Sequence, residues 1–254
     1  MRIPELTARA EELYENSRYQ EALELFEEAY RIEPSDFLGN YIGCCHLKLK
    51  NYLEAIQTFL LILNSNTNWE RPILNLSRVF FELGGASEAF HLLQRAEALN
   101  PKNEDVYYYY GVFYYKNNNI ELAIQAFEKS LQLNDNEADT HLNLGNCYAE
   151  KKMYDEAINQ YKRAYDLDSS CYDALFNIGY TSVFKKEYEA ALNSFLKYTS
   201  INKSDSALLH IVHCLTKLDR YNDAQTWFAK IPEDYPDQKH YLMLKRKIDE
   251  HFHI

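Results

Sequence analysis

His210 and His213, three residues apart, and His251 and His253, two apart, are the first side chains in this chain that could do chemistry. Either pair could present two imidazoles to a metal ion. A stable site needs further ligands at fixed distance, and none is predictable from the spacing, so the histidines read as packing or surface residues. Five cysteines, Cys44, Cys45, Cys147, Cys171 and Cys214, are an odd number and include no CxxC, which argues against a disulfide framework or a zinc site. No glycine-rich phosphate loop, nucleophile elbow or HExxH is present. No catalytic constellation, metal or cofactor is expected, and the chain reads as a non-enzyme. The remaining chemistry is recognition. Asn143 and Asn177 stand 34 residues apart (177 − 143), as do Asp105, Asp139 and Asp173 in succession. An asparagine amide can pair with an extended backbone as donor and acceptor. The aspartates could select a basic peptide, or only complement a helix dipole in its first turn. Arg71 and Arg78 could anchor an acidic group, or lie on a solvated face.

The same interval organises the whole chain, and so identifies the elements that must carry these residues. The stretch 138–171, ADTHLNLGNCYAEKKMYDEAINQYKRAYDLDSSC, is the clearest copy. Leu144, Gly145, Tyr148, Tyr154, Ala157, Tyr161 and Ala164 fall at its places 7, 8, 11, 17, 20, 24 and 27. Place 20 is filled by Ala22, Ala55, Ala89, Ala123, Ala157, Ala191 and Ala224, and place 24 by Phe26, Phe59, Leu93, Phe127, Tyr161, Phe195 and Phe228. Place 8 holds Ala10, Gly43, Ser77, Gly111, Gly145 and Gly179, until Val212 breaks the rule. Glycine inside a helix costs about 1 kcal/mol relative to alanine. Its recurrence at one place therefore signals close packing, with places 8 and 20 expected to face each other where paired helices cross. Val212 and His213 depart from this pattern, so the two helices of the last repeat are expected to pack more loosely. Cys45, Cys147 and Cys214 share place 10, where a cysteine serves as a small hydrophobe.

This spacing resembles the tetratricopeptide repeat (TPR) family. The resemblance implies an all-α, α-α superhelical solenoid of tandem helix-turn-helix repeats with a C-terminal capping helix. We place the repeats at about 3–35, 36–69, 70–103, 104–137, 138–171, 172–205 and 205–236, forming a single array over 1–254. Pro232 and Pro236 interrupt the pattern. A final helix is expected over 237–252, with Leu244, Ile248 and Phe252 on one stripe and Lys245, Arg246, Lys247, Asp249 and Glu250 facing away.

The balance of charge narrows the partners. Net charge is −11 and no basic run exists, which argues against nucleic acid. The acidic excess concentrates in residues 1–36, with four Arg against ten Asp and Glu, while the tail from Asp237 carries four Lys and Arg against three acids. That asymmetry reads as a solvated outer face, or as end-to-end attraction between molecules. No apolar run of about 20 residues exists for membrane insertion, no secretory signal is visible, and reduced thiols suit a cytoplasmic location.

In TPR proteins the groove is lined by places 2, 5, 6, 9, 12 and 13. Carried onto this chain, the resemblance assigns a partner-binding groove to Arg71, Asn75, Arg78, Tyr108, Tyr109, Asn143, Asn146, Phe176, Asn177 and Tyr180. The asparagines resemble the ladder with which some TPR proteins hold extended peptides. The carboxylate clamp of chaperone-binding TPR adaptors is not matched. Repeats one to three give Thr7 and Glu11, then Tyr41, then Arg71 and Asn75, which argues against EEVD-type tails. The expected function is a non-enzymatic scaffold or adaptor that binds a protein or peptide segment. The alternatives are a chaperone for secreted or assembling apolar clients and a structural subunit of a larger complex.

Overall fold

The computed structural model describes residues 2–202, 204–235 and 237–252. The described residues form fifteen α-helices and no strand. The chain divides into two compact units. The N-terminal unit, Met1–Asn117, contains α1 (Ile3–Glu15), α2 (Tyr19–Ile32), α3 (Asp36–Lys48), α4 (Tyr52–Ser65), α5 (Glu70–Glu82), α6 (Ala86–Leu99) and α7 (Glu104–Lys116). The C-terminal unit, Asn118–Ile254, contains α8 (Ile120–Leu133), α9 (Ala138–Glu150), α10 (Tyr154–Leu167), α11 (Tyr172–Phe184), α12 (Tyr188–Ile201), α13 (Asp205–Lys217), α14 (Tyr221–Phe228) and α15 (Gln238–Phe252). Within each unit the helices pack in chain order, each against the next. First helices of consecutive repeats also touch: α3 with α5, α5 with α7, and α11 with α13.

A repeated turn joins the two helices of each repeat. Ser17, Lys50, Gly84, Asn118, Lys152, Lys186 and Asp219 all adopt positive φ, between 57° and 79°, and all occupy place 15. The N–H of Lys50 reaches Leu47 O at 3.0 Å and that of Asn51 reaches His46 O at 2.8 Å, so the last carbonyls of α3 are capped in a Schellman arrangement. Only Gly84 takes this left-handed conformation without a side-chain penalty.

The place-20 alanines are fully buried, but the glycines at place 8 do not meet them first. A Cβ on Gly145 would lie 2.6 Å from the Tyr161 ring, one on Gly43 2.5 Å from Phe59, and one on Gly179 2.9 Å from Phe195. The small residue at place 8 therefore makes room for the ring at place 24. The rings of Phe26, Phe59, Phe127 and Phe195 have no exposed surface, and each such burial contributes about 2–3 kcal/mol.

The last repeat differs from the others. Val212 is fully buried, so place 8 stays inside the core although its residue is no longer small. Its second helix, α14, is also shorter, with eight residues where the earlier second helices have fourteen. Pro232 follows it; Pro236 lies outside the described residues. The final helix, α15, packs on α13 and α14 through Tyr241, Leu244 and Ile248. Its other side is less polar than expected. Leu242 and Met243 are exposed, whereas Lys247 and Asp249 are half-buried and Lys247 Nζ donates to Thr216 O at 3.4 Å.

Candidate partner-binding surfaces

In the N-terminal unit, α3, α5 and α7 lie side by side and bring the predicted residues into one chain of contacts. Asn75 is 8% exposed. Its Nδ2 donates to Asn40 Oδ1 at 3.0 Å and to Cys44 Sγ at 3.2 Å, and its Oδ1 accepts from Arg78 Nη1 at 3.0 Å. Both amide hydrogens are thus spent inside the protein. Asn75 positions its neighbours rather than offering an open rung to an incoming backbone. The Arg78 guanidinium lies 5.5 Å from the centre of the Tyr109 ring, which packs edge-on against Tyr108 at 4.9 Å. Arg71 is exposed and makes no hydrogen bond or ion pair among the described residues. A cleft of about 430 Å³ opens beside it, lined by Phe37, Asn40, Tyr41, Arg71, Asn75 and Asp105 among others. Burial pushes the Cys44 thiol up to about 11 and raises the Tyr14 and Tyr109 hydroxyls further. Enclosure by surrounding protein also raises the Asp105 carboxyl; the charge of Glu104 adds to this, and Arg78 and Arg71 oppose it.

In the C-terminal unit the asparagines do not form equivalent rungs either. Asn146 Oδ1 accepts from Asn177 Nδ2 at 3.1 Å and from the Tyr161 hydroxyl at 2.9 Å. Asn143 Nδ2 donates to the carbonyl of Asp139 on its own helix at 2.9 Å. Since Tyr161 is the ring received by Gly145, the core contact between α9 and α10 also sets the Asn146–Asn177 pair. Along α11, Phe176, Tyr180 and Phe184 recur every four residues, and Tyr180 and Phe184 are 44% and 53% exposed. The rings form a continuous row: Tyr180 meets Phe176 at 6.4 Å, Phe184 at 5.0 Å and His210 at 5.5 Å.

His210 stacks on Phe195 at 5.1 Å, and His213 Nδ1 approaches His240 Nε2 at 3.4 Å. Burial, reinforced by the charge of His240, holds His210 and His213 down at about 4, so both are neutral at pH 7. His240 is also lowered by burial, with Asp237 opposing. No group of three or more His, Cys, Asp or Glu among the described residues is disposed to hold a metal ion. His251 stacks on Tyr221 at 3.9 Å; His253 lies outside the described residues.

One rule relates these contacts: place 9 of one repeat meets place 6 of the next. Cys44 meets Asn75, Arg78 meets Tyr109, Asn146 meets Asn177 and Tyr180 meets His210. Sequence reasoning missed Asn40, Cys44 and His240 as members of these rows. Place arithmetic could have found the first two; His240 begins a helix outside the repeat register.

Tandem helical hairpins that line their first helices with polar and aromatic side chains define a repeat scaffold of the protein-interaction type. Tetratricopeptide repeat models match residues 7–68 and 142–207, residues 104–170, and residues 185–248. The chain belongs to the tetratricopeptide repeat family. A curated relative, the Hsp70-Hsp90 organising protein of Plasmodium falciparum (isolate 3D7), is 24% identical over 121 residues, covering 47% of this chain but only 17% of that protein. Among solved structures, pilF of Pseudomonas aeruginosa superposes with a TM-score of 0.74 at 17% identity, covering 84% of this chain and 97% of that one. YrrB, a TPR protein with an unusual peptide-binding site, superposes with a TM-score of 0.54 at 22% identity, covering 73% and 96%. At these identities the structural likeness is one of fold. No helix among the described residues is long and apolar enough to cross a membrane.

Proposed function

We propose that this protein is a non-enzymatic scaffold that holds a segment of a partner protein against the first helices of its repeats. Each unit would offer its own contacts: Arg71, Arg78, Tyr108 and Tyr109 in the N-terminal unit, and Asn143, Phe176 and Tyr180 in the C-terminal unit. Asn75, Asn146 and Asn177 would hold those groups in place. The observation that carries this reading is the exposed ring row of α11. Tyr180 and Phe184 leave about half of their surface to solvent, where a folded chain gains by burying aromatic area. The peptide-binding site borne by YrrB and the acidic net charge support a protein partner over a nucleic acid. Five unpaired cysteines favour a reducing, cytoplasmic setting. Affinity purification with mass spectrometry, comparing the intact chain with Tyr180→Ala and Asn143→Ala, tests the assignment. Partners recovered by the wild type should be depleted by these changes, and unchanged recovery refutes it.

A second reading has its own observation. On α4, Leu53, Leu60 and Leu61 are 64%, 47% and 61% exposed. The same places hold Glu121, Glu128 and Lys129 in repeat four, and Asp155, Lys162 and Arg163 in repeat five. An apolar stripe on an outer face suits docking into a larger assembly. Under this reading Leu60→Glu would release the partners that Tyr180→Ala retains.

A further inference from the structure

We propose that the half-buried Arg78 guanidinium receives one acidic side chain, Asp or Glu, of the bound segment. This rests on the scaffold reading and specifies the chemistry of its ligand. Arg2 and Arg18 in the same unit are exposed, and each holds a glutamate: Arg2 meets Glu5 at 2.9 Å, and Arg18 pairs with Glu21. Arg78 is the reverse. It is half-buried, its guanidinium bonds the neutral Asn75 amide and faces the Tyr109 ring, and among the described residues no carboxylate comes within ion-pairing distance. Tyr14, Cys44 and Tyr109, all protonated at neutral pH, lie around it, and the charge of Asp105 acts on it from beyond ion-pairing distance. A half-buried cation with no carboxylate in contact is incompletely compensated, and a carboxylate arriving there gains a charge-assisted, two-pronged contact. Arg71, itself unpartnered, lines the adjoining cleft.

Three acids line the adjoining cleft. Glu70 accepts from Asn100 Nδ2 at 3.2 Å, and Glu104 and Asp105 lie at the start of α7. Asp105 is the closest internal competitor, since both Arg71 and Arg78 act on it without forming an ion pair with it. That competition gives the proposal opposite signs at two residues. Removing Arg78 should abolish a preference for acids, and neutralising Asp105 should strengthen it.

A random-peptide phage library panned on the full chain, followed by fluorescence anisotropy with the selected peptides, is the test. Wild-type selectants should be enriched in Asp or Glu at one position. Their affinity should fall roughly tenfold or more in Arg78→Met, and by a similar factor when that acid is changed to its amide, with the two losses not adding. Asp105→Asn should tighten binding. Arg78→Met should melt at or above the wild-type temperature, because it removes an uncompensated charge. The proposal is overturned by selectants that are neutral or basic, by equal binding to Arg78→Met, by weakening in Asp105→Asn, or by a fall of several degrees in the melting temperature of Arg78→Met. The last result would make Arg78 a packing residue. If no peptide is enriched at all, the scaffold reading fails along with this one; enrichment of neutral or basic peptides sinks this one alone.

Discussion

Replacing Gly145 with alanine sets two known effects against each other. Alanine in a helix interior is better than glycine by about 1 kcal/mol, so on propensity alone Gly145→Ala would stabilise α9. The new methyl, however, would stand 2.6 Å from Tyr161 Cε1 and 2.7 Å from its Cδ1, where carbon atoms prefer about 3.5–4 Å. Tyr161 is 2% exposed and its hydroxyl donates to Asn146 Oδ1, so the ring has no free direction in which to move. Overpacking of this kind costs about 1–3 kcal/mol, and the displaced hydroxyl loses about 1 kcal/mol more. The net expectation is destabilisation of about 1–3 kcal/mol, or roughly 2–12 °C in melting temperature for a chain of this size, read by circular dichroism. Gly39→Ala is the control. There the nearest atom is the flexible end of Ile62, Cδ1 at 3.3 Å, so stability should hold or rise by up to about 1 kcal/mol. In a Tyr161→Ala background the clash is gone, and Gly145→Ala should become stabilising. If it still destabilises there, the ring is not the reason for the glycine and the packing argument fails.

Three further expectations follow from the same contacts. His210 and His213 are held neutral at about 4, whereas the unfolded chain protonates them near 6.5. Stability should therefore be flat above about pH 6.5 and fall as pH drops towards 4, by roughly 1–3 kcal/mol for these half-buried rings. Melting temperatures across that range should show a shallower slope in His210→Asn, and an unchanged slope would count against the assignment. Cys45, Cys147 and Cys214 are buried with thiols pushed to about 12, and Cys44 is buried at about 11. Cys171, raised less and half-buried, should react first with a thiol reagent. One fast thiol, lost in Cys171→Ser, is expected under native conditions, and several fast thiols would contradict the burial pattern. Lys50→Gly should stabilise by about 0.5–1 kcal/mol, because Lys50 holds φ at 62° with a side chain that disfavours it; denaturant midpoints would record this, and a lowered midpoint would refute it.

Much of the architecture could be read from spacing alone. Alanine at place 20, an aromatic at place 24 and a small residue at place 8 recur because each helical hairpin must close on itself before it can stack, and that closure is a local demand written within one repeat. The positive-φ residues at place 15 were not legible. Ser17, Lys50, Asn118, Lys152, Lys186 and Asp219 range over four side-chain types, since the turn is imposed by the helices on either side of it. The partner of place 8 was misjudged for a related reason: spacing shows that Gly145 must be small, but only the crossing of α9 and α10 decides that the Tyr161 ring occupies the room.

The candidate surface divides along the same line. By itself the amino-acid sequence determined which residues stand on the first helices, and so named Arg71, Arg78, Asn146, Asn177 and Tyr180 together. Only the tertiary structure decided which of them spend their hydrogen bonds on each other. The offset between neighbouring first helices brings place 9 of one repeat to place 6 of the next, which spends both amide hydrogens of Asn75 and one of Asn177 inside the protein and leaves Arg78 with no carboxylate in contact. The packing of α15, a helix outside the repeat register, on α13 brings His240 Nε2 to 3.4 Å from His213 Nδ1. Linear spacing encodes the face a residue occupies; the stagger between packed helices, a property of no single repeat, decides what it meets there.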